Sequence, residues 1–361
     1  MKLLRNEAYK LFIKRYLLII FSVCMIAEIL IAFNYSENIK ISDIESQNKY
    51  EYYMSLYSGE LSEEIQNEIN ALIEKDESIS ELKDMLNKEY INREITDSEY
   101  EDRLKEYNEY SIGHNGFEMF IQAYQSAVDN GKYLIDQRPW SVLFGEESID
   151  FILVIFIVIS VVLLTVYDEE SGAGSITFPT EKGKSQKWFA HLIILVFTAA
   201  FVSMAISMVR YLVVNTVYGL ENPHFSINNI ELFYESAYDL SIIQGYALIS
   251  FIKAFGAVYL AAISFFIGTV LRQSLLTIFS SFALTFLPNY IFADREYKYF
   301  IPLPSSFLTA NGYLFGDKIY DIVYFKSLSI KQIVTVILIT VLIIVVSVFV
   351  SYLKAVMRKK Q

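Results

Sequence analysis

The stretch KAFGAVYLAAISFFIGTVLR, from Lys253 to Arg272, decides the fold class of this protein. Eighteen residues without a charge separate its two basic ends. At about 1.5 Å per helical residue, such a run crosses most of the roughly 30 Å of hydrocarbon in a bilayer. Because charged side chains are costly in that region and neutral apolar ones are not, the run predicts a membrane-spanning helix.

Five further apolar blocks of similar length occur in the chain, which is 54% hydrophobic over 361 residues and has a positive mean hydropathy. This composition is too apolar for an ordinary soluble domain. The sequence therefore predicts an all-α integral membrane protein with a helical extracellular insertion between helices 1 and 2. The six predicted transmembrane helices are Tyr16–Phe33, Ile149–Val166, Phe189–Val209, Ala254–Leu271, Ser274–Phe292 and Gln332–Leu353.

The distribution of basic residues predicts the orientation. With the N-terminus placed inside, the short inner segments carry 13 Lys and Arg and the short outer loops carry 5. Because basic residues favour the cytoplasmic side, both termini are expected in the cytoplasm of a multi-pass cell-membrane protein. The first apolar run is longer than that of a typical signal peptide and lacks a good cleavage site, so it is predicted to be retained.

Residues 34–148, called the insertion below, are predicted to form an extracellular acidic helical domain. They contain 26 acidic and 10 basic residues, a net charge of −16, compared with −11 for the whole chain. Apolar spacings of three and four predict three or four helices, and Thr96-Asp-Ser-Glu99 has the form of a capping box. The charge argues against nucleic acid as a partner and permits a cationic ligand. A solvated helical surface is the simpler interpretation of the same residues.

Patterns that mark catalytic, metal or nucleotide sites are missing from the sequence. It contains neither His-Glu-x-x-His nor Gly-x-Ser-x-Gly, and its three histidines are far apart. Gly183-Lys184-Ser185 matches the end of a phosphate-binding loop, but Phe178 and Pro179 occupy the positions where the loop needs glycine and an N–H donor. No catalytic residue, metal site or cofactor site is therefore predicted on this chain.

One acidic residue, Glu28, lies inside the first predicted span, about 20 Å along the helix from Arg15. A bare carboxylate is costly at that depth. Arg210 and Lys253 are expected at a similar or slightly higher level on the third and fourth helices. The hypothesis is that Glu28 faces the interior and pairs with one of them. Alternatively, Glu28 is protonated or reaches the outer interface.

The predicted cytoplasmic connection 167–188 contains acidic residues, glycines, a proline and lysines in a specific order. Its candidate functional residues are Asp168, Glu169, Glu170, Gly174, Pro179, Lys184 and Lys187. This order resembles the membrane subunits of ABC-2 type exporters, in which an acidic residue after the second span precedes a Gly-Ser or Gly-Thr pair, a proline, basic residues and a third span. The resemblance covers the membrane part, and the insertion is larger than in the simplest members.

The resemblance implies a permease subunit of an ATP-driven exporter that is not itself an enzyme. The connection 167–188 would be a coupling loop that rests on a separate ABC ATPase subunit, which binds ATP and magnesium. Residues 1–15 would be an amphipathic elbow helix at the inner interface of the lipid bilayer. A second permease copy or a homologous permease would complete the pathway. The acidic insertion favours a drug or an antimicrobial peptide as the substrate. A merely charged inner loop is the competing interpretation of 167–188.

The other predicted segments complete this topology. Residues 210–253 form an outer loop that leads to the fourth span, and 354–361 form a cytoplasmic tail. Residues 293–331 form an outer cap or a re-entrant segment, because Pro302, Pro304 and Asn311-Gly312 interrupt regular structure. An alternative function from another class is a membrane receptor or envelope assembly protein whose extracellular helical domain binds a ligand or partner.

Overall fold

A computed structural model of the chain describes residues 2–130, 133–144, 149–171, 181–233, 236–291, 301–314 and 329–356. The α-helices of these segments are α1 Lys2–Tyr9, α2 Leu17–Asn38, α3 Ile44–Tyr57, α4 Glu63–Ile91, α5 Asp97–Ser111, α6 His114–Asn130, α7 Arg138–Phe144, α8 Phe151–Val161, α9 Tyr167–Glu170, α10 Glu181–Tyr218, α11 Ile242–Leu271, α12 Ser274–Ile291, α13 Pro304–Leu308 and α14 Ile330–Val356. Two π-helical turns cover Lys10–Lys14 and Val162–Val166, and short 3₁₀ turns cover Ile227–Asn229, Glu231–Phe233 and Ala310–Tyr313.

Four helices, α2, α10, α11 and α14, are long and apolar enough to cross a membrane. They contain the first, third, fourth and sixth predicted spans. The second and fifth predicted spans form shorter apolar helices, at Phe151–Val166 and Ser274–Pro288. The structure thus supports an all-α membrane protein with four candidate crossings. The strands of the described residues, Gly59–Glu60 and Tyr133–Leu134, form one small antiparallel pair.

The helices that contain the third and fourth predicted spans, α10 and α11, are longer than those spans. Helix α10 begins at Glu181, so the last residues of the predicted loop 167–188 are already helical. Helix α11 begins well before its predicted span, where Ser241 and Gln244 form a capping box. The reciprocal hydrogen bonds of such a box satisfy backbone N–H groups that have no partner inside the helix. The region before Lys253 is therefore part of the same helix as the predicted span.

Helix α11 lies at the centre of the membrane part, in contact with α8, α10, α12, α13 and α14. Its buried face contains small residues, among them Gly256, Ala257, Ala261 and Gly268. Small side chains let helix backbones approach closely where no water drives association. A Cβ added at Gly256 would lie 2.7 Å from the Cβ of Phe307, so only glycine leaves room for this neighbour. By contrast, α2 and α14 expose most of their apolar side chains.

Residues 301–314, which fall in the predicted cap or re-entrant segment, pack as a buried piece against α11. Every residue from Pro304 to Leu314 is buried. The Tyr259 hydroxyl donates a hydrogen bond to the Pro302 carbonyl at 2.8 Å, and Asn311 donates to the Phe144 carbonyl. Irregular backbone is tolerated at membrane depth only when protein or water satisfies its polar groups, and these bonds supply such partners. The rest of the predicted segment lies outside the described residues.

The insertion contains the end of α2, helices α3 to α6 and α7, and α3, α4 and α6 share a core of their own. Tyr50, Met54, Ile69, Phe117, Phe120 and Tyr124 are among its buried side chains. Thr96 and Glu99 form the predicted capping box at the start of α5, which is confirmed in both of its hydrogen bonds. The apolar spacings along the sequence therefore do mark one packed helical unit.

Polar contacts at the start of α7 connect the helices α3 to α6 with the membrane part. Arg138 donates two hydrogen bonds to the Asp136 carboxylate, at 3.0 and 2.9 Å, and lies 3.9 Å from the ring centroid of Tyr50. Burial raises the pKa of the Tyr50 phenol, and the nearby Asp136 raises it further. The Trp140 indole donates to the Glu221 carbonyl at 3.3 Å, directly beyond α10. Two side chains in the first turn of α7 therefore connect α3, through Arg138, with the segment after α10, through Trp140.

Substituting alanine for Gly116 should destabilise the insertion. Gly116 lies where α6 crosses α3, and a Cβ there would lie 1.9 Å from the backbone oxygen of Ser46. Because backbone rather than a flexible side chain blocks the space, the helices must separate, at a cost of about 1–3 kcal/mol. Thermal unfolding of the full-length protein should report the loss. The neighbouring Asn115→Ala, at an exposed position of the same helix, is the control; equal melting temperatures for the two variants would contradict the packing.

Candidate functional site

A buried carboxylate, Asp168, holds three basic side chains where α8 and its π turn end. Its side chain is 3% exposed. Lys10 and Lys187 donate hydrogen bonds to Oδ2 from Nζ at 2.6 and 2.7 Å, and the Arg15 guanidinium donates to Oδ1. These four residues, called the Asp168 cluster below, come from the N-terminal segment, from α9 and from α10. One carboxylate therefore links three separate parts of the chain.

Both π turns of the described residues adjoin the Asp168 cluster. The first, Lys10–Lys14, ends immediately before Arg15, and the second, Val162–Val166, ends two residues before Asp168. Arg15 also donates to the backbone carbonyl of Leu163 inside the second turn and lies 4.9 Å from the ring centroid of Tyr167. A π turn disturbs the regular hydrogen-bond ladder and is frequent at functional sites. Arg15 thus connects the two irregular turns.

The electrostatics of the Asp168 cluster favour the ionised carboxylate. Burial alone would raise the pKa of Asp168, but hydrogen bonds from Lys10 and Lys187 and the charge of Arg15 outweigh it and hold the pKa well below its usual range. Short hydrogen bonds between charged groups are roughly twice as strong as those between neutral groups. The Asp168 carboxylate therefore remains ionised at neutral pH. It connects the N-terminal segment, α9 and α10.

A second buried pair, Glu7 and His191, lies beside this cluster. Their atoms Oε2 and Nε2 are 2.9 Å apart, and each side chain is 6% exposed. Burial would raise the pKa of Glu7, but the hydrogen bond to His191 and the nearby cations lower it overall. The pair attaches the inner face of α1 to α10, just as Lys10 and Lys187 attach both segments to α9.

Potential metal ligands occur in this region but do not fit a metal ion. Glu7, Asp168 and His191 bring ligand atoms within 4.8 Å of one another. All three groups already have partners, since Glu7 binds His191 and Asp168 binds three cationic side chains. Two carboxylates that face three fixed positive charges leave a net positive region, which repels an additional cation.

Glu170 contacts a different helix. Its carboxylate accepts hydrogen bonds from the Ser274 backbone N–H at 2.7 Å and from the Ser274 hydroxyl at 2.6 Å. These two hydrogen bonds lower the pKa of Glu170. An acidic group at a helix N-terminus satisfies free N–H groups and interacts favourably with the helix dipole. Glu170 thus attaches the segment after the second predicted span to the start of α12.

Removing this contact should lower thermal stability modestly. Glu170→Ala and Ser274→Ala each delete the hydroxyl–carboxylate hydrogen bond, so each should lower the melting temperature of the purified protein. The melting temperature of the double variant should lie only slightly below that of the less stable single variant, because the stability losses from two partners in one interaction do not add. Fully additive losses in the melting temperature would show that the two side chains act separately.

The other predicted loop residues divide between described and undescribed positions. Lys187 belongs to the Asp168 cluster, and Lys184 is half-buried near the start of α10. Gly174 and Pro179 lie outside the described residues, as does the side chain of Glu169. The structure therefore brings Asp168 and Lys187 together, whereas Glu170, at the end of α9, contacts Ser274 at the start of α12.

A second buried charge cluster surrounds Glu28. Arg210 donates one hydrogen bond to Glu28 Oε1 and another to Asp150 Oδ2, the latter at 2.7 Å. Asp150 also caps α8 by accepting from the Leu153 backbone N–H at 3.0 Å. Glu28 is fully buried, so its carboxylate faces the interior of the protein. Among the described residues, Glu28 Oε2 has no hydrogen-bond partner, and Lys253 interacts with Glu28 and Asp150 through its charge.

Sequence reasoning missed five residues of these sites: Lys10 and Arg15 in the Asp168 cluster, Asp150 in the Glu28 cluster, and the neighbouring pair Glu7 and His191. Asp150 lies within the predicted second span and directly precedes its apolar run, which is a helix-start signal that identifies the cap. The sequence offers no comparable signal for Glu7 and His191, which are 184 positions apart. Only the packing of α1 against α10 brings them together.

No protein-family model, curated protein or solved structure matches the chain. The two buried charge clusters are therefore the observations on which a function has to rest. The Asp168 cluster joins the N-terminal segment, α9 and α10, and the Glu28 cluster joins α2, the start of α8 and α10. In the first, one carboxylate holds three basic side chains; in the second, one guanidinium holds two carboxylates.

Proposed function

We propose that this protein is the permease subunit of an ATP-driven exporter of the ABC-2 type, with six membrane crossings, both termini in the cytoplasm and the insertion outside the cell. The observation that carries the proposal is the Asp168 cluster, together with the contact between Glu170 and Ser274. These contacts connect the segment after the second span to α1, α10 and α12. A force applied to this segment would therefore reach several helices at once.

In this mechanism, the segment 167–188 receives the motion of a separate ABC ATPase subunit that binds ATP and magnesium. Charged hydrogen bonds resist separation, so α9 moves with α1 and α10 rather than independently. Displacement of α10 then acts on the Glu28 cluster through Arg210. This route connects the inner end of the bundle to the buried carboxylates without any chemistry on this chain.

The complete exporter would contain two permeases, either two copies or this chain with a homologous partner, and two ATPase subunits. The substrate would leave through a path between the permeases, and the acidic insertion favours a drug or antimicrobial peptide that carries positive charge. Complementary charge at the cytoplasmic surface would select the ATPase and fix its register.

A search of the neighbouring genes for an ABC ATPase, followed by its co-expression with the tagged chain, tests this function. The wild-type chain should retain the ATPase through purification and stimulate its ATP hydrolysis. Lys184→Glu, at the half-buried position near the start of α10, should weaken retention. Lys88→Glu, the same change on an exposed position of the insertion, is the control. Failure of the wild-type chain to retain any ABC ATPase would reject the exporter assignment.

A second candidate function is a membrane receptor or envelope assembly protein. The independent core of the insertion and its attachment through Arg138 and Trp140 favour this alternative, because a rigid outer domain can present a binding surface. Deletion of the insertion distinguishes the two functions. An exporter should still retain its ATPase after the deletion, whereas a receptor should lose its ligand or partner.

A further inference from the structure

One face of the N-terminal segment combines positive charge with exposed apolar side chains. Lys2, Arg5 and Lys14 are exposed and have no ion pair or hydrogen bond to a described residue. Tyr9 and Ile13, which are 55% and 48% exposed, share this face. Residues three or four positions apart lie on the same side of a helical segment, which places Lys2, Arg5, Tyr9 and Ile13 together, and Lys14 is the exposed neighbour of Ile13.

The opposite face of this segment is fixed against the protein. Leu11 is fully buried, and Glu7 is buried in its hydrogen bond to His191. Lys10 and Arg15 are both occupied by Asp168. The segment therefore cannot rotate its basic side inward without breaking the Asp168 cluster, and the basic side must face the surroundings.

The surroundings of this face are defined by the next helix. Tyr16, in a left-handed conformation with φ of 60°, separates the segment from α2. Leu18 and Ile19, in the first turn of α2, are 51% and 58% exposed, as expected of side chains in contact with lipid tails. Lys14 and Ile13 lie only four and five residues before Leu18. The basic face therefore lies where hydrocarbon gives way to headgroups.

We propose that this outward face binds anionic phospholipid headgroups. Each exposed charge of residues 2–16 is positive, because the one carboxylate of the segment, Glu7, is buried. Free phosphate would satisfy the charges but would leave Tyr9 and Ile13 in water. A phospholipid satisfies both groups, since its headgroup meets the basic side chains and its interface accepts aromatic and aliphatic ones.

Lipid retention by the full-length protein tests this inference. The protein is incorporated into nanodiscs of phosphatidylcholine and phosphatidylglycerol in equal parts, and re-extracted; its bound lipids are quantified by mass spectrometry. Wild type should be enriched in phosphatidylglycerol. At about 1 kcal/mol for each basic residue, the Lys2→Gln, Arg5→Gln, Lys14→Gln triple variant should lose roughly 100-fold in relative affinity at low salt. High salt should reduce the wild-type enrichment in the same direction.

The matched control removes three exposed charges from the insertion, as Lys88→Gln, Arg93→Gln and Lys105→Gln. This variant should retain phosphatidylglycerol like wild type. The inference would be overturned if both triple variants retained equal amounts of phosphatidylglycerol. It would also be overturned if the lipids bound to the wild type had the same composition as the nanodisc. Unchanged melting temperatures would show that both variants are folded. Because the assay contains neither ATPase nor nucleotide, its outcome is independent of the proposed export function.

Discussion

Asp168→Ala should leave little folded protein. The substitution removes the buried carboxylate that binds Lys10, Arg15 and Lys187, and it leaves their positive charges close together. Removing one partner from a buried charge pair typically costs about 3–5 kcal/mol, because the remaining charge is left uncompensated. That loss is a large part of the total stability of most domains. Yield of monodisperse full-length protein and its melting temperature are the measurements.

Two further variants make this prediction specific. Asp239→Ala removes an exposed carboxylate and should leave yield and melting temperature nearly unchanged. Adding Lys187→Gln to Asp168→Ala reduces the three neighbouring positive charges to two and should recover part of the lost stability. If Asp168→Ala melted at the same temperature as Asp239→Ala, the Asp168 cluster would not be the junction inferred here.

The contribution of the Asp168 carboxylate to stability depends on pH because the pKa of Asp168 is lowered in the folded protein. In the unfolded chain, an aspartate titrates near pH 4. A group whose pKa is lower in the folded state contributes its full stabilisation above the unfolded value and loses it as pH falls towards the folded value. The difference in melting temperature between wild type and Asp168→Asn should therefore be constant between about pH 5 and 8 and should narrow below about pH 4.

Arg210→Gln should have the second largest effect. Arg210 is the shared hydrogen-bond donor of Glu28 and Asp150, so its loss leaves two acidic groups close together in the membrane part. Two carboxylates without their guanidinium should cost about 3–5 kcal/mol, part of which protonation of one acid would relieve. The expected result is poor assembly and a strongly reduced melting temperature. Glu28→Gln should cost less, because it removes one acid and keeps a hydrogen-bond acceptor.

Lys253→Gln is the matched control for Arg210→Gln. Both residues were candidates for the partner of Glu28; Arg210 donates hydrogen bonds to Glu28 and Asp150, whereas Lys253 interacts with them through its charge. Its substitution keeps the hydrogen bonds of Arg210 and should therefore lower the melting temperature much less than Arg210→Gln does. If Lys253→Gln were as damaging as Arg210→Gln, then Glu28 would depend on both cations.

The sequence by itself determined the features that follow from local pattern. Runs of apolar residues predict helices that can cross a membrane, and four of the six predicted spans meet that requirement in the structure. The box at Thr96 and Glu99 was predictable because its two residues are three positions apart. Depth along a helix also marked Glu28 as a carboxylate that needs a partner. Each of these inferences uses residues within one element.

Only the tertiary structure decided which distant residues meet. Asp168 lies 158 positions from Lys10, and Glu28 lies 182 positions from Arg210. Sequence spacing carries no information about such pairs, because they depend on how α1, α2 and α10 pack. The choice of Arg210 over Lys253, the burial of Glu7 with His191 and the outward direction of the basic face all result from that packing. A buried charge requires a partner, and the packing of the helices determines which partner is within reach.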